Sequence, residues 1–127
     1  MWTGTVYMGM SQTNMSVVFD TGSDWMVVQG STCVNCEGGV FNADASGKKT
    51  NTTLQNRAYG SANLTGYTYK DIACLTSTLA SCVMNFEYFS VTHQDGLSPP
   101  IEGIVGLSQN KQFLMSNTQH VVGPLFV

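Results

Sequence analysis

Apolar residues along this chain fall in short runs separated by small and polar clusters, and the pattern predicts strands rather than helices. The strand-like runs are Thr3–Met10, Met15–Asp20, Trp25–Gln29, Arg57–Ser61, Leu64–Leu75, Val83–Thr92 and Gly103–Leu107. They are rich in Val, Thr, Tyr and Phe, which suit a pleated, half-buried surface. Gly, Asn and Ser bound them, and those residues favour turns. Ala62-Asn63 reads as a tight hairpin turn, and Asp95-Gly96 with Ser98-Pro99-Pro100 as a further connection. One short helix is expected over Gln109–Ser116, with Phe113, Leu114 and Met115 packing inward. No internal repeat or low-complexity linker interrupts the pattern. The fold class expected is all-β.

The 127 residues fit one domain with a real core. Hydrophobic residues make up 43% and charged residues 10%, a balance that argues against disorder. The net charge is −3, and the five Lys and Arg are scattered singly apart from Lys48-Lys49, so no basic footprint for nucleic acid exists. No apolar run has the length of a membrane span. The start, Met1-Trp2-Thr3-Gly4, has no basic-then-apolar leader, and Leu125-Phe126-Val127 is an apolar end. Both features lead to the expectation that the chain is truncated at both ends.

Four cysteines stand at 33, 36, 74 and 82. An even count in a low-charge chain points to two disulfides and an oxidising compartment. Three pairings are possible, and the local one, Cys33 with Cys36 and Cys74 with Cys82, is favoured. The spacing of Cys74 and Cys82 is wrong for a zinc ribbon, and Cys33–Cys36 lies in a segment that reads as loop rather than opening a helix. Three glycosylation sequons, at Asn14, Asn51 and Asn63, lean the same way, toward the secretory route.

Candidate chemistry centres on Val17-Val18-Phe19-Asp20-Thr21-Gly22-Ser23. An apolar strand runs directly into a carboxylate and then turns at Gly22. A charged carboxylate at the end of a buried strand needs partners. The hydroxyls of Thr21 and Ser23, with backbone N–H groups admitted by Gly22, can keep Asp20 partly ionised and fix its orientation. The triplet Asp-Thr-Gly alone would arise by chance in roughly a few per cent of chains of this length. His93 and His120 have no carboxylate or thiol at ligand spacing, and Asp24, Asp44 and Asp95 read as solvated turn residues.

The triplet is not alone. Phe19-Asp20-Thr21-Gly22-Ser23-Asp24-Trp25 resembles the first active-site motif of pepsin-like aspartic peptidases. Gly4-Thr5-Val6-Tyr7-Met8-Gly9 resembles that family's opening hairpin, and Tyr59-Gly60-Ser61-Ala62-Asn63-Leu64-Thr65-Gly66 its flap, the hairpin that closes over substrate. Asp71 falls where the family usually has an acidic residue, and Phe41-Asn42 with Ser46 match the stretch after the first disulfide. Ile101-Glu102-Gly103-Ile104-Val105-Gly106-Leu107 resembles the segment packed behind the active-site loop. The resemblance covers about residues 2 to 110. It implies one lobe of the bilobal acid protease fold, with closed or orthogonally packed β-sheets, a flap hairpin and a short helix.

That likeness also implies a chemistry. Two Asp-Thr/Ser-Gly loops, one per lobe, share a proton because two close carboxylates cannot both ionise easily. Together they activate a water against a peptide bond at acid pH, with no metal or cofactor. Asp20 would be one member. Thr21, Gly22 and Ser23 would form its loop, Tyr59, Gly60 and Ser61 the flap, and Val18, Ile101 and Ile104 an apolar substrate pocket. The partners implied are a polypeptide substrate and a C-terminal lobe carrying the second Asp, and the location a secreted or lysosomal/vacuolar one. Two alternatives stand beside this reading: a retropepsin-like subunit in which two copies supply two Asp20, and a non-catalytic binding or inhibitor-like lobe.

Several positions depart from the family pattern. The Trp usually found seven residues after the catalytic Asp is Val27 here, while Trp25 lies on the same strand face and can substitute in part for its support of the flap. Glu102 replaces the usual Asp, a mild change. Ala62 replaces a flap Gly, and the opening hairpin lacks its usual Pro. No second Asp-Thr/Ser-Gly occurs in the chain.

Overall fold

The computed structural model describes residues 2–20, 25–50, 52–59, 62–78, 82–96 and 102–106. Its elements are β1 (Trp2–Met8), β2 (Thr13–Asp20), β3 (Met26–Val34), β4 (Lys48–Lys49), β5 (Gln55–Tyr59), β6 (Ala62–Cys74), β7 (Cys82–Asp95) and β8 (Gly103–Gly106), with a 3-10 turn at Ala43–Ala45. Among the described residues the architecture is all-β. The helix expected over Gln109–Ser116 lies outside them.

The strands form one mixed sheet in the order β1-β2-β8-β3-β7-β6-β4, with β5 on β6. A further pairing of β1 with β6, at Tyr7–Cys74 and Met8–Ala73, closes the sheet on itself. Closure removes most free edges, the usual route to unwanted strand pairing.

Side-chain alternation sorts the apolar residues onto two faces. Val6, Met8, Met15, Val17, Met26, Val28, Phe86, Tyr88 and Val105 fill the main core. Val27, Leu64, Phe89, Val91 and Ile104 form a second cluster on the other face of β3, β7 and β8, capped by Cys33 and Cys36. A strand buried on both faces reads as a continuous apolar run, and Met26-Val27-Val28 is one. Burying a Val or Phe side chain stabilises by about 1.5–3 kcal/mol, so each layer adds appreciably.

The structure moves two of the expected boundaries in particular. Tyr59 pairs with Ala62 and Ala58 with Asn63, so the hairpin turns between 59 and 62, not at Ala62-Asn63. Ala62 is 3% exposed, and its burial fixes that register. The segment read as loop from Gly30 is strand as far as Val34, because β3 resumes pairing at Val34–His93 after a shift following Gln29–Val91. His93 is an exposed strand residue. Both disulfides are local, Cys33–Cys36 and Cys74–Cys82.

Candidate active site

β2 and β3 follow each other in sequence but are not neighbours in the sheet. β8 lies between them, parallel to β2 and antiparallel to β3. The insertion places Asp20, the last residue of β2, at a crossing of three strand ends. Asp20 pairs with Gly106 of β8, and the Gly106 N–H donates to the Trp25 carbonyl just before β3, at 3.0 Å. Backbone pairing thus ties both sides of the 21–24 segment to one strand.

Below Asp20 the register builds an apolar row. Val18 stands opposite Ile104, Ile104 opposite Val27, and Val27 opposite Phe89. Alternation puts Asp20 on the Val18 face. Asp20 is half-buried, Val18 is half-buried, and Ile104 is 6% exposed. Val18 and Ile104 are therefore brought together next to Asp20, with Ile104 packed mainly as core.

The hairpin of β5 and β6 reaches the same face. Arg57 of β5 sets its guanidinium carbon 4.4 Å from the Trp25 ring centroid and 5.1 Å from that of Phe89. Its Nη2 donates to Gln55 Oε1 at 3.0 Å. Val27, which occupies the position of the usual Trp, is 2% exposed and takes no part in this contact.

Polar clamps fix the disulfide loop behind the row. Gln29, 4% exposed, donates from Nε2 to the carbonyls of Glu37 and Gly39 at 2.8 and 2.9 Å. The Glu102 carboxylate accepts from Ser16 N at 2.8 Å and from Gly39 N at 2.9 Å. One carboxylate thus bridges β2 and the disulfide loop.

A second polar group lies away from Asp20. Asp71, 6% exposed, accepts from Ser46 Oγ and from its neighbour Ile72 N, both at 2.7 Å. Ser46 Oγ in turn accepts from Met10 N at 3.3 Å, joining the β1–β2 turn to β6. Asp44 is exposed yet accepts the Tyr69 hydroxyl at 2.8 Å, so it is more than a solvated turn residue. Burial, then that hydrogen bond to Asp44, pushes the Tyr69 phenol up to about 12. Burial, with the Asp71 charge second, raises Tyr88 further still.

Of the residues singled out in the sequence, Thr21, Gly22, Ser23, Gly60, Ser61 and Ile101 lie outside the described residues, and Tyr59 is placed by its backbone as the last residue of β5. Arg57 was missed. Its signal was available: it is the cation of a strand-like run, two residues before Tyr59, at a position where alternation points inward.

The chain matches the eukaryotic aspartyl protease family over residues 1–125. That span is nearly the whole chain, and the chain belongs to this family of peptide hydrolases. The all-β architecture is consistent with a single pepsin-like lobe. No curated protein matches the chain. Among the described residues no helix is long and apolar enough to cross a membrane.

Proposed function

We propose that this chain supplies Asp20 as one of the two catalytic carboxylates of an acid endopeptidase. The observation that carries the reading is the position of Asp20: end of β2, paired with Gly106, above the Val18–Ile104–Val27–Phe89 row and on the face reached by the β5–β6 hairpin.

A second Asp-Thr/Ser-Gly loop, from a C-terminal lobe, would face Asp20. The ionised member of the pair takes a proton from a bound water while the protonated member polarises the scissile carbonyl. Thr21, Gly22 and Ser23 orient Asp20. Tyr59, Gly60 and Ser61 cover the peptide from the hairpin. Val18, Ile101 and Ile104 receive an apolar substrate side chain, since pockets of this kind are lined by such residues. The disulfides, and the exposed sequon residues Asn14 and Asn63, support a secreted or lysosomal/vacuolar location with glycosylation.

The test is Asp20→Asn in the full-length protein, assayed on a protein substrate at acid pH. Cleavage is expected to fall by at least about a hundredfold, the low end of general acid–base contributions, with thermal unfolding little changed. Retained cleavage, or ligand handling untouched by the substitution, would leave the non-catalytic lobe as the better reading.

A further inference from the structure

β5 carries the hairpin's first arm, and β6 is its partner in the sheet. A hairpin arm held through one neighbour is only marginally fixed. Arg57 supplies a second attachment. Lys48, Lys49 and Lys70 are exposed, whereas Arg57 is half-buried between exposed Asn56 and Ala58. Its guanidinium lies over Trp25 at 4.4 Å and Phe89 at 5.1 Å. Its Nε is buried and has no hydrogen-bond partner among the described residues, so the aromatic faces provide the compensation at that atom.

The contact leads straight to Asp20. Trp25 is fixed through its carbonyl to Gly106 N, and Gly106 pairs with Asp20. Phe89 is fully buried beside Val27 in the row below. Both rings are therefore carried by backbone tied into the same sheet as Asp20. Rings carried by the sheet under a planar cation make a latch for β5.

We propose that Arg57 is a positioning residue of the flap, latching β5 to the segment after Asp20 through a cation–π contact with Trp25. This rests on the reading of Asp20 and the β5–β6 hairpin as active site and flap. It extends the expectation that Trp25 supports the flap by naming the partner and the kind of bond. The latch also has a pH signature. The contact uses neither a carboxylate nor an imidazole, so the latch keeps its strength in acid, where a carboxylate-based tie would be lost.

The experiment uses the full-length protein with Arg57→Met, Arg57→Lys, Trp25→Leu and the Arg57→Met/Trp25→Leu double variant. Amide hydrogen exchange is followed for residues 55–66 at pH 4 and pH 7, corrected for intrinsic rates. Arg57→Met and Trp25→Leu are each expected to speed flap exchange about tenfold, within the range of a partly desolvated cation–π contact. The double variant should be no faster than either single one, because both remove the same interaction. Arg57→Lys, which keeps the charge but not the planar face, should restore only part of the protection, and the factor should be the same at both pH values. Unchanged exchange in Arg57→Met, or effects that simply add, would overturn the latch. If Arg57→Met does not fold, Arg57→Lys and Trp25→Phe form a milder cycle read the same way. Peptide cleavage is measured in parallel, where Arg57→Met should raise KM more than it lowers kcat. An unmutated protein without peptidase activity would sink the active-site reading, while the exchange data would still decide the latch.

Discussion

The Gly39 N–H and the Glu102 carboxylate, 63 residues apart in sequence, meet in a 2.9 Å hydrogen bond. The other oxygen of the same carboxylate holds Ser16 N at 2.8 Å, so one side chain joins β2 to the disulfide loop. Gly38 and Gly39 make room for it, since a Cβ on either would come within 3.1 Å of Glu102 atoms. Hydrogen bonds to a charged acceptor stabilise by about 1.5–3 kcal/mol each. Glu102→Ala should therefore cost about 3 kcal/mol in urea unfolding. Glu102→Asp should lose one of the two bonds and about half of that amount. Equal stability of Glu102→Asp and the parent protein would show that the longer side chain is not required.

Tyr88 gives a prediction of opposite sign. Its ring is fully buried, in contact with Phe41 and Tyr69, each with its centroid 6.2 Å away. Its hydroxyl has no hydrogen-bond partner among the described residues. Leaving a buried polar group unpaired costs about 1–3 kcal/mol, so Tyr88→Phe should raise stability near pH 7 by ~1 kcal/mol. The alkaline behaviour follows from linkage. An unfolded tyrosine ionises near pH 10, whereas Tyr69 in the fold waits until about 12 and Tyr88 is raised further. Above pH 10 the unfolded chain sheds protons that the fold keeps, so stability is complete below pH 10 and falls as pH rises beyond it. Tyr88→Phe should make that fall shallower, and Tyr69→Phe should do so between pH 10 and 12. Urea midpoints measured from pH 8 to 12 decide both; parallel curves for parent and variants would refute the assignment.

These contacts show where sequence reasoning reaches and where it stops. Asp20 was legible because an apolar run ending in Asp-Thr-Gly is a local pattern, and the apolar stretch 103–107 marked β8 for the same reason. The insertion of β8 between β2 and β3 was not legible from pattern alone, since it pairs strands distant in sequence. The hairpin turn was placed too late because its register is set by the burial of Ala62 and by the β6–β7 ladder, which local turn chemistry does not report. Strand β3 was cut short at Gln29 because Gly30-Ser31-Thr32 has the composition of a loop. Gly30 instead lets β7 approach, and an added Cβ there would meet Val91 O at 2.9 Å. Arg57 was passed over because its value depends on two rings from other strands.

The last prediction concerns the number of carboxylates. Residues 20–22 are the one Asp-Thr-Gly of the chain, and no Asp-Ser-Gly accompanies them. The chain thus offers one such loop where the proton-sharing pair needs two, and the acid–base contribution at stake is about 10²–10⁴-fold. The polypeptide of residues 1–127, assayed alone at acid pH, should therefore cleave at least about a hundredfold more slowly than the full-length protein, at every concentration tested. Specific activity that instead rises in proportion to chain concentration would mean that two copies bring two Asp20 together, and the homodimeric reading would replace the two-lobe one. Activity that is independent of concentration in a proven monomer would remove the need for a second carboxylate and overturn both. Adding a separate chain that carries Asp-Thr/Ser-Gly on a complementary lobe should restore cleavage, and only when Asp20 is intact.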